Sequence, residues 1–241
     1  MIEVPWRQPP LTREQQHQLF MLLLLDDTED APWMVMGDLQ FWSASSLAHS
    51  LRSYAREQGL GWYVASMLPI ESTWPNVPGK KVLSPDLFVA FVPEHARSSF
   101  DAEAEGGYPP FVIEVVSRSS ATRDAREKLV AYELFGVREY VLFTPREGGN
   151  SQLEGYRRGE AGLEPWPLDE QGRLHSDVLG LHLLVRGSLL QAQTADGRVL
   201  LTPEEADLAR RHAETARQRA EEEVERLRRE LDRYRGGTSA H

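Results

Sequence analysis

Three charged residues stand where their types suit chemistry. Asp86 follows Pro85 and opens the apolar stretch from Leu87 to Val92. Glu114 interrupts an otherwise wholly apolar run, Phe111 to Val116, and Lys128 lies four residues after Asp124 and four before Tyr132. A carboxylate inside a buried strand is costly unless it is paired, protonated or metal-bound. Two carboxylates at neighbouring strand ends can hold a hard divalent cation through oxygen, with the Val115 carbonyl as a further ligand. A lysine on the next helix, returning over the strand end, orients a water and stabilises an oxyanion. Such a set suits phosphodiester hydrolysis: the metal makes hydroxide available near neutral pH, and the lysine balances developing charge. Two plainer readings compete. Glu114 would sit in a salt bridge to a neighbouring arginine, and Lys128 in an i,i+4 ion pair with Asp124 on a solvated face.

These residues need elements to position them. Thr12 to Leu25 is predicted as a helix, with Thr12 as N-cap and Gln15 completing a capping box. Trp33 to Trp42 is predicted as a strand with a turn at Gly37-Asp38, and Ser43 to Gln58 as a helix burying Leu47, Leu51 and Tyr54, closed by Gly59. Strands are expected over Leu60 to Leu68 and Val82 to Val92, with a Pro-rich loop, Pro69 to Lys81, between them. Pro93 to Pro109 is polar and Gly-rich and is read as a flexible connection. Pro110 to Val116 has the character of a strand buried on both faces. Ser119-Ser120 cap a helix that ends near Phe135, with Gly136 at C′. Arg138 to Phe143 is the next strand, and an antiparallel extension follows to Leu190. Strands alternating with helices make the fold α/β or α+β, a mixed sheet flanked by helices.

The tail differs in kind. From Pro203 to Arg235 there is no glycine and no internal proline, and Thr202 suits the N-cap with Pro203 at N1. Ala213, Ala220, Val224, Leu227, Leu231 and Tyr234 fall at heptad-compatible spacings. A helix of ~33 residues is about 50 Å long and wants a partner. A two-stranded coiled coil, and so a homodimer through the C-terminal helix, is the expectation; the alternative is a solvated charged helix.

Composition narrows the classes. The chain has 241 residues and no cysteine, so a disulfide scaffold, a thiolate zinc site and a cysteine nucleophile are out. The longest apolar run, Leu19 to Leu25, is far short of the roughly 20 residues of a membrane span. No signal peptide is apparent, and a cytoplasmic location is expected. No phosphate-binding loop, dinucleotide glycine motif, G-x-S-x-G or H-E-x-x-H occurs, and His17, His95 and His175 form no ligand spacing. The net charge is −10 and the pI about 5.3, which is not the usual footprint of a nucleic-acid binder. Against that, Arg118, Arg123 and Arg126 cluster with Lys128, either as a local positive groove for DNA or as solvated arginines.

The order Pro85-Asp86, Glu114-Val115-Val116-Ser117, then Asp124, Lys128, Tyr132 and Gly136-Val137-Arg138-Glu139-Tyr140 resembles the Uma2 family of the PD-(D/E)xK nuclease superfamily. The resemblance covers Trp33 to Leu190 and is most specific over Phe111 to Phe143. It implies a restriction-endonuclease-like core and divalent-metal nuclease chemistry, with Mg²⁺ as cofactor and Mn²⁺ as substitute. Asp86 matches the family's PD aspartate and Glu114 the second acidic ligand. The superfamily's lysine two residues after the acid is replaced here by Val116, and Lys128 on the helix is the expected substitute. Tyr132 and Ser117 match recurrent positions, His49 matches a histidine of the early helix, and Asp124 is a supporting residue. Two positions depart from the family: Trp33 stands where a glutamate is frequent, and Thr144 where an aspartate is.

The domain expectation is a helical segment over 1–32, a nuclease domain over 33–200, a coiled-coil helix over 203–235 and a disordered tail over 236–241. The expected function is Mg²⁺-dependent cleavage of DNA by Asp86, Glu114 and Lys128, with no membrane association. The alternative is an inactive nuclease-fold protein that binds DNA or protein through its coiled coil.

Overall fold

Leu47, Ala48, Leu51 and Ala55 share one face of a helix, and all four are buried. In the computed structural model, which describes Thr12 and residues 38–73, 79–116 and 121–237, with backbone alone for 81, 121–127, 232 and 234–237, this helix is α1, Asp38–Gln58. It ends in a Schellman motif: Gly59, at φ 65°, donates to Arg56, and Leu60 donates to Ala55 at 2.8 Å. The helix starts earlier than the sequence suggests. Asp38, expected in a turn, and Leu39 to Trp42, expected as strand, form its start, and the Ser43 hydroxyl donates back to the Leu39 carbonyl at 2.7 Å instead of capping. Residues 33–37 and the expected helix from Thr12 to Leu25, apart from Thr12 itself, lie outside the described residues.

The main sheet has six strands in the order β1-β4-β6-β7-β8-β9. They are β1 (Tyr63–Ser66), β4 (Leu87–Ala90), β6 (Phe111–Val115), β7 (Glu139–Thr144), β8 (Gln152–Arg158) and β9 (Leu163–Trp166). In this sheet, among the described residues, only β6 and β7 pair in parallel, and helix α2 (Ala121–Leu134) makes the crossover between them. Two small sheets complete the fold. One is antiparallel, β10 (Leu174–Ser176), β11 (Leu181–Arg186) and β12 (Leu189–Gln193); the other orders β3 (Lys80–Leu83), β2 (Ile70–Thr73) and β5 (Phe100–Asp101).

Three loop readings change. The expected strand from Val82 to Val92 is two strands in different sheets, β3 and β4, because Pro85 lacks the N–H that would continue the ladder. The expected loop from Pro69 to Lys81 contains β2 and the start of β3. The connection from Pro93 to Pro109 is anchored: it contains β5, buries Phe100, and lays the Arg97 guanidinium 4.1 Å over the Tyr63 ring, paired to Glu105 at 2.6 Å.

Strand alternation sorts the core onto two faces. Leu87, Val89, Phe111, Ile113, Val115, Val141 and Phe143 face α1 and the β10–β12 sheet. Phe88, Val112, Tyr140 and Leu142 face the other way, packing with Ala131 and Tyr132 of α2 and with Ile70, Leu83 and Phe100. All five residues of β6 are buried, as its composition predicts. Glu114 therefore points to the α2 face, two residues along from Val112.

The chain divides into two compact units, Met1–Leu200 and Leu201–His241. The second carries α3, Pro203–Gly237. Its start is a full capping box: Thr202 Oγ1 accepts from Glu205 N–H at 3.2 Å, and the Glu205 carboxylate accepts from Thr202 N–H at 2.9 Å. No helix among the described residues is long and apolar enough to cross a membrane.

Candidate active site

The ladder between β4 and β6 pairs Leu87 with Ile113, so Asp86 is the next residue beside Glu114. The Asp86 carboxylate accepts the Val115 N–H at 2.6 Å. Its carbonyl accepts from the Ser66 hydroxyl at 3.0 Å and from the N–H of Met67 at 3.1 Å. Met67 reaches that bond in the left-handed region, at φ 54°. Asp86 is thus tied to both neighbouring strands.

From the opposite side α2 presents Lys128 and Tyr132, one helical turn apart and so on one face. Both meet the same carboxylate oxygen. The Tyr132 hydroxyl donates to Glu114 Oε1 at 2.6 Å, and Lys128 Nζ lies 3.3 Å from it. The Glu114 side chain is only 6% exposed and that of Lys128 19%, so the acid is dry and its cation reaches the edge of solvent. Burial pushes the Glu114 carboxyl up to about 7; Lys128 opposes the rise, Asp86 adds to it, and Tyr132 opposes it. Burial, with the charge of Glu114, holds the Tyr132 phenol well above its ordinary range, so it remains a donor.

Sequence reasoning missed one residue here. Gln40, in the first turn of α1, donates its side-chain amide to the Val115 carbonyl at 2.9 Å. The pairing spans 75 residues and falls in a stretch expected as strand. Of the two plainer readings, the arginine partner for Glu114 is replaced by Lys128 and Tyr132. Asp86, Glu114, Lys128 and Tyr132 come together. His49 does not: it is exposed on α1, which covers the sheet face opposite to the one Glu114 points from. Ser117 and Arg118 lie outside the described residues, and Arg123, Asp124 and Arg126 are described in backbone only.

A family model described as "Uma2: Putative restriction endonuclease" matches residues 31–189. The chain belongs to the Uma2 family. A crystal structure titled as a "putative nuclease belonging to DUF820", from Anabaena variabilis, is similar to this Uma2 chain at 14% identity and a TM-score of 0.43, over 58% of this chain and 73% of that one. No curated protein matches.

The resemblance implies a divalent cation, and the donors suit one. Asp86 and Glu114 offer hard carboxylate oxygens beside the Val115 carbonyl, and their mutual repulsion is of the kind a cation relieves. Among the described residues no three His, Asp or Glu side chains gather as a metal cage.

Proposed function

We propose that this Uma2 protein is a divalent-metal-dependent endonuclease that hydrolyses DNA phosphodiester bonds, using Mg²⁺ or Mn²⁺. The observation that carries the reading is the junction of a buried glutamate, a neighbouring aspartate and a lysine at the end of two sheet strands. Asp86 and Glu114 would hold the cation, which when bound supplies Lewis acidity and a reactive water. Lys128 brings positive charge to the solvent edge of the site, where a phosphate's developing charge needs it. Tyr132 fixes the Glu114 carboxylate in one orientation, and Gln40 holds the Val115 carbonyl. The C-terminal helix α3 is the element through which two copies pair.

The test is cleavage of supercoiled, linear duplex and single-stranded DNA with Mg²⁺, Mn²⁺ or EDTA, beside Asp86→Asn. Metal-dependent cutting that the variant loses supports the reading; cutting that survives the substitution sinks it. The ties on Glu114 Oε1, with the Tyr132 hydroxyl at 2.6 Å and Lys128 Nζ at 3.3 Å, favour a second reading, an inactive nuclease fold that binds DNA or protein. That reading gains if the protein neither cuts nor melts at a higher temperature in millimolar Mg²⁺ or Mn²⁺.

A further inference from the structure

Ala220, Val224, Leu227 and Leu231 follow one another along α3 at spacings of four, three and four, the a/d repeat of a coiled coil. Val224, Leu227 and Leu231 are each about half exposed, at 48%, 49% and 49%. A stripe of large apolar side chains on a helix otherwise covered in charge is an unfilled seam. In that repeat Val224 and Leu231 are a positions, and Ala220 and Leu227 are d positions. A β-branched residue at a with leucine at d favours two strands.

The flanking charges select the direction. Glu223 precedes Val224 and occupies g; Arg228 follows Leu227 and occupies e. In a parallel pair a g residue faces the e residue five positions further along the partner, so Glu223 of one copy meets Arg228 of the other. The sequence repeats the pattern with Glu230 and Arg235. An antiparallel pair over the same segment sets g against g and e against e: Glu223 then meets Glu230 of the partner copy, a like-charge contact, while Glu221 meets Arg228, so only the parallel pairing is free of a like-charge contact. Within one helix Arg226 bridges Glu223 and Glu230, Arg229 pairs with Glu225, and Arg217 with Glu221, so Glu223 would lie between Arg226 of its own copy and Arg228 of the partner copy. Arg228 enters no ion pair among the described residues. Nearer the helix start the a positions are Arg210 and Arg217 and the d positions Ala206 and Ala213, a cationic, shallow seam that does not close.

We infer that residues 220–231 of α3 pair with the same segment of a second copy as a parallel, in-register coiled coil, fixed by Glu223 against Arg228 of the partner copy. The inference rests on α3 being the pairing element and is independent of the nuclease reading. In a parallel pair the Thr202 residues of both copies lie at the same end of the paired helices.

The first measurement is the mass of the full chain by light scattering over a concentration series. Twice 27.3 kDa is expected at the upper end. Glu223→Arg and Arg228→Glu should each weaken pairing by about tenfold or more, and the double variant should recover most of the loss, because the swapped charges face each other again. Because the chain has no cysteine, Ala220→Cys and Leu227→Cys can be oxidised separately in the full chain. In a parallel pair each cysteine meets its own counterpart within disulfide reach. Self-crosslinking at both positions is expected. Crosslinking at only one, or no recovery in the double variant, overturns the parallel register while leaving the dimer standing. A monomer at every concentration overturns the dimer itself.

Discussion

Tyr132 donates its hydroxyl to Glu114 Oε1 at 2.6 Å, and Lys128, one turn earlier on the same helix, stands 3.3 Å from that same oxygen. A single carboxylate oxygen thus gathers a neutral donor and a cation, while the acid itself is dry. Even with both, the Glu114 carboxyl titrates near 7, because burial outweighs them.

The first prediction concerns pH in metal-free buffer. Between an unfolded value near 4.5 and a folded value of about 7, the native chain keeps a proton that the unfolded chain has lost. The stabilisation linked to that proton is fully present below pH ~4.5 and is lost as pH rises through about 7. Glu114→Gln removes this slope. Urea unfolding from pH 4.5 to 8 should find the variant gaining on the wild type, by an upper limit on the order of 3 kcal/mol. Parallel curves for the two proteins would show that Glu114 is not the group that titrates.

Removing the tyrosine donor should act in the opposite sense. Tyr132→Phe keeps the ring between β6 and Tyr140 but takes one hydrogen bond from the ionised carboxylate. A bond to a charged group contributes about 1.5–3 kcal/mol. The loss should therefore be larger at pH 8, where Glu114 is charged, than at pH 5, where it is largely neutral. Equal losses at both pH values would mean that ring packing accounts for the whole effect.

Asp86 has two separable roles, and two substitutions part them. Asp86→Asn retains an oxygen to accept the Val115 N–H, so it should fold within about 1 kcal/mol of wild type. It should nonetheless lose the thermal shift given by Mg²⁺ or Mn²⁺, and with it cleavage. Asp86→Ala additionally strands the Val115 N–H and should cost a further ~1–3 kcal/mol. Calorimetry with and without metal on both variants checks the pair. An undiminished metal shift in Asp86→Asn would remove Asp86 from the metal site.

Legibility in the sequence follows how local each signal is. One charge among the six residues from Phe111 to Val116 stands out by contrast, and Lys128 and Tyr132 are linked to each other by helical spacing. Pro85-Asp86 marks the start of β4 for the same reason that it ends β3. Gln40 carries no such mark, because its meaning depends on a carbonyl 75 residues away. The helix start at Asp38 is hidden by Phe41 and Trp42, aromatic residues that suit a strand and here stand exposed on the first turns. The β2–β3 pair is hidden by Pro69 before it and by Pro75 and Pro78 in the sequence between its strands, and β5 by its length of two residues.

Glu139 illustrates the limit of reading buried acids by contrast, and it supplies the last prediction. It lies on β7, one strand from Glu114, and is 1% exposed. Its partners are the Ser176 hydroxyl, the Asp177 N–H at 2.8 Å and the Arg157 guanidinium at 3.1 Å. They bind the main sheet to the turn after β10, on the face opposite Glu114. Glu139 is thus a structural tie between two sheets. Glu139→Ala strands the buried Ser176 hydroxyl and the Asp177 N–H, while Arg157 keeps Asp177 at 3.0 Å, and the change should cost about 2–3 kcal/mol. The metal-dependent rise in melting temperature should persist in the destabilised variant, since Asp86 and Glu114 are untouched. Thermal melts of Glu139→Ala with and without Mn²⁺ decide this. A lost metal shift in a still-folded protein would place Glu139 in the metal site and overturn the assignment of the two glutamates to separate jobs.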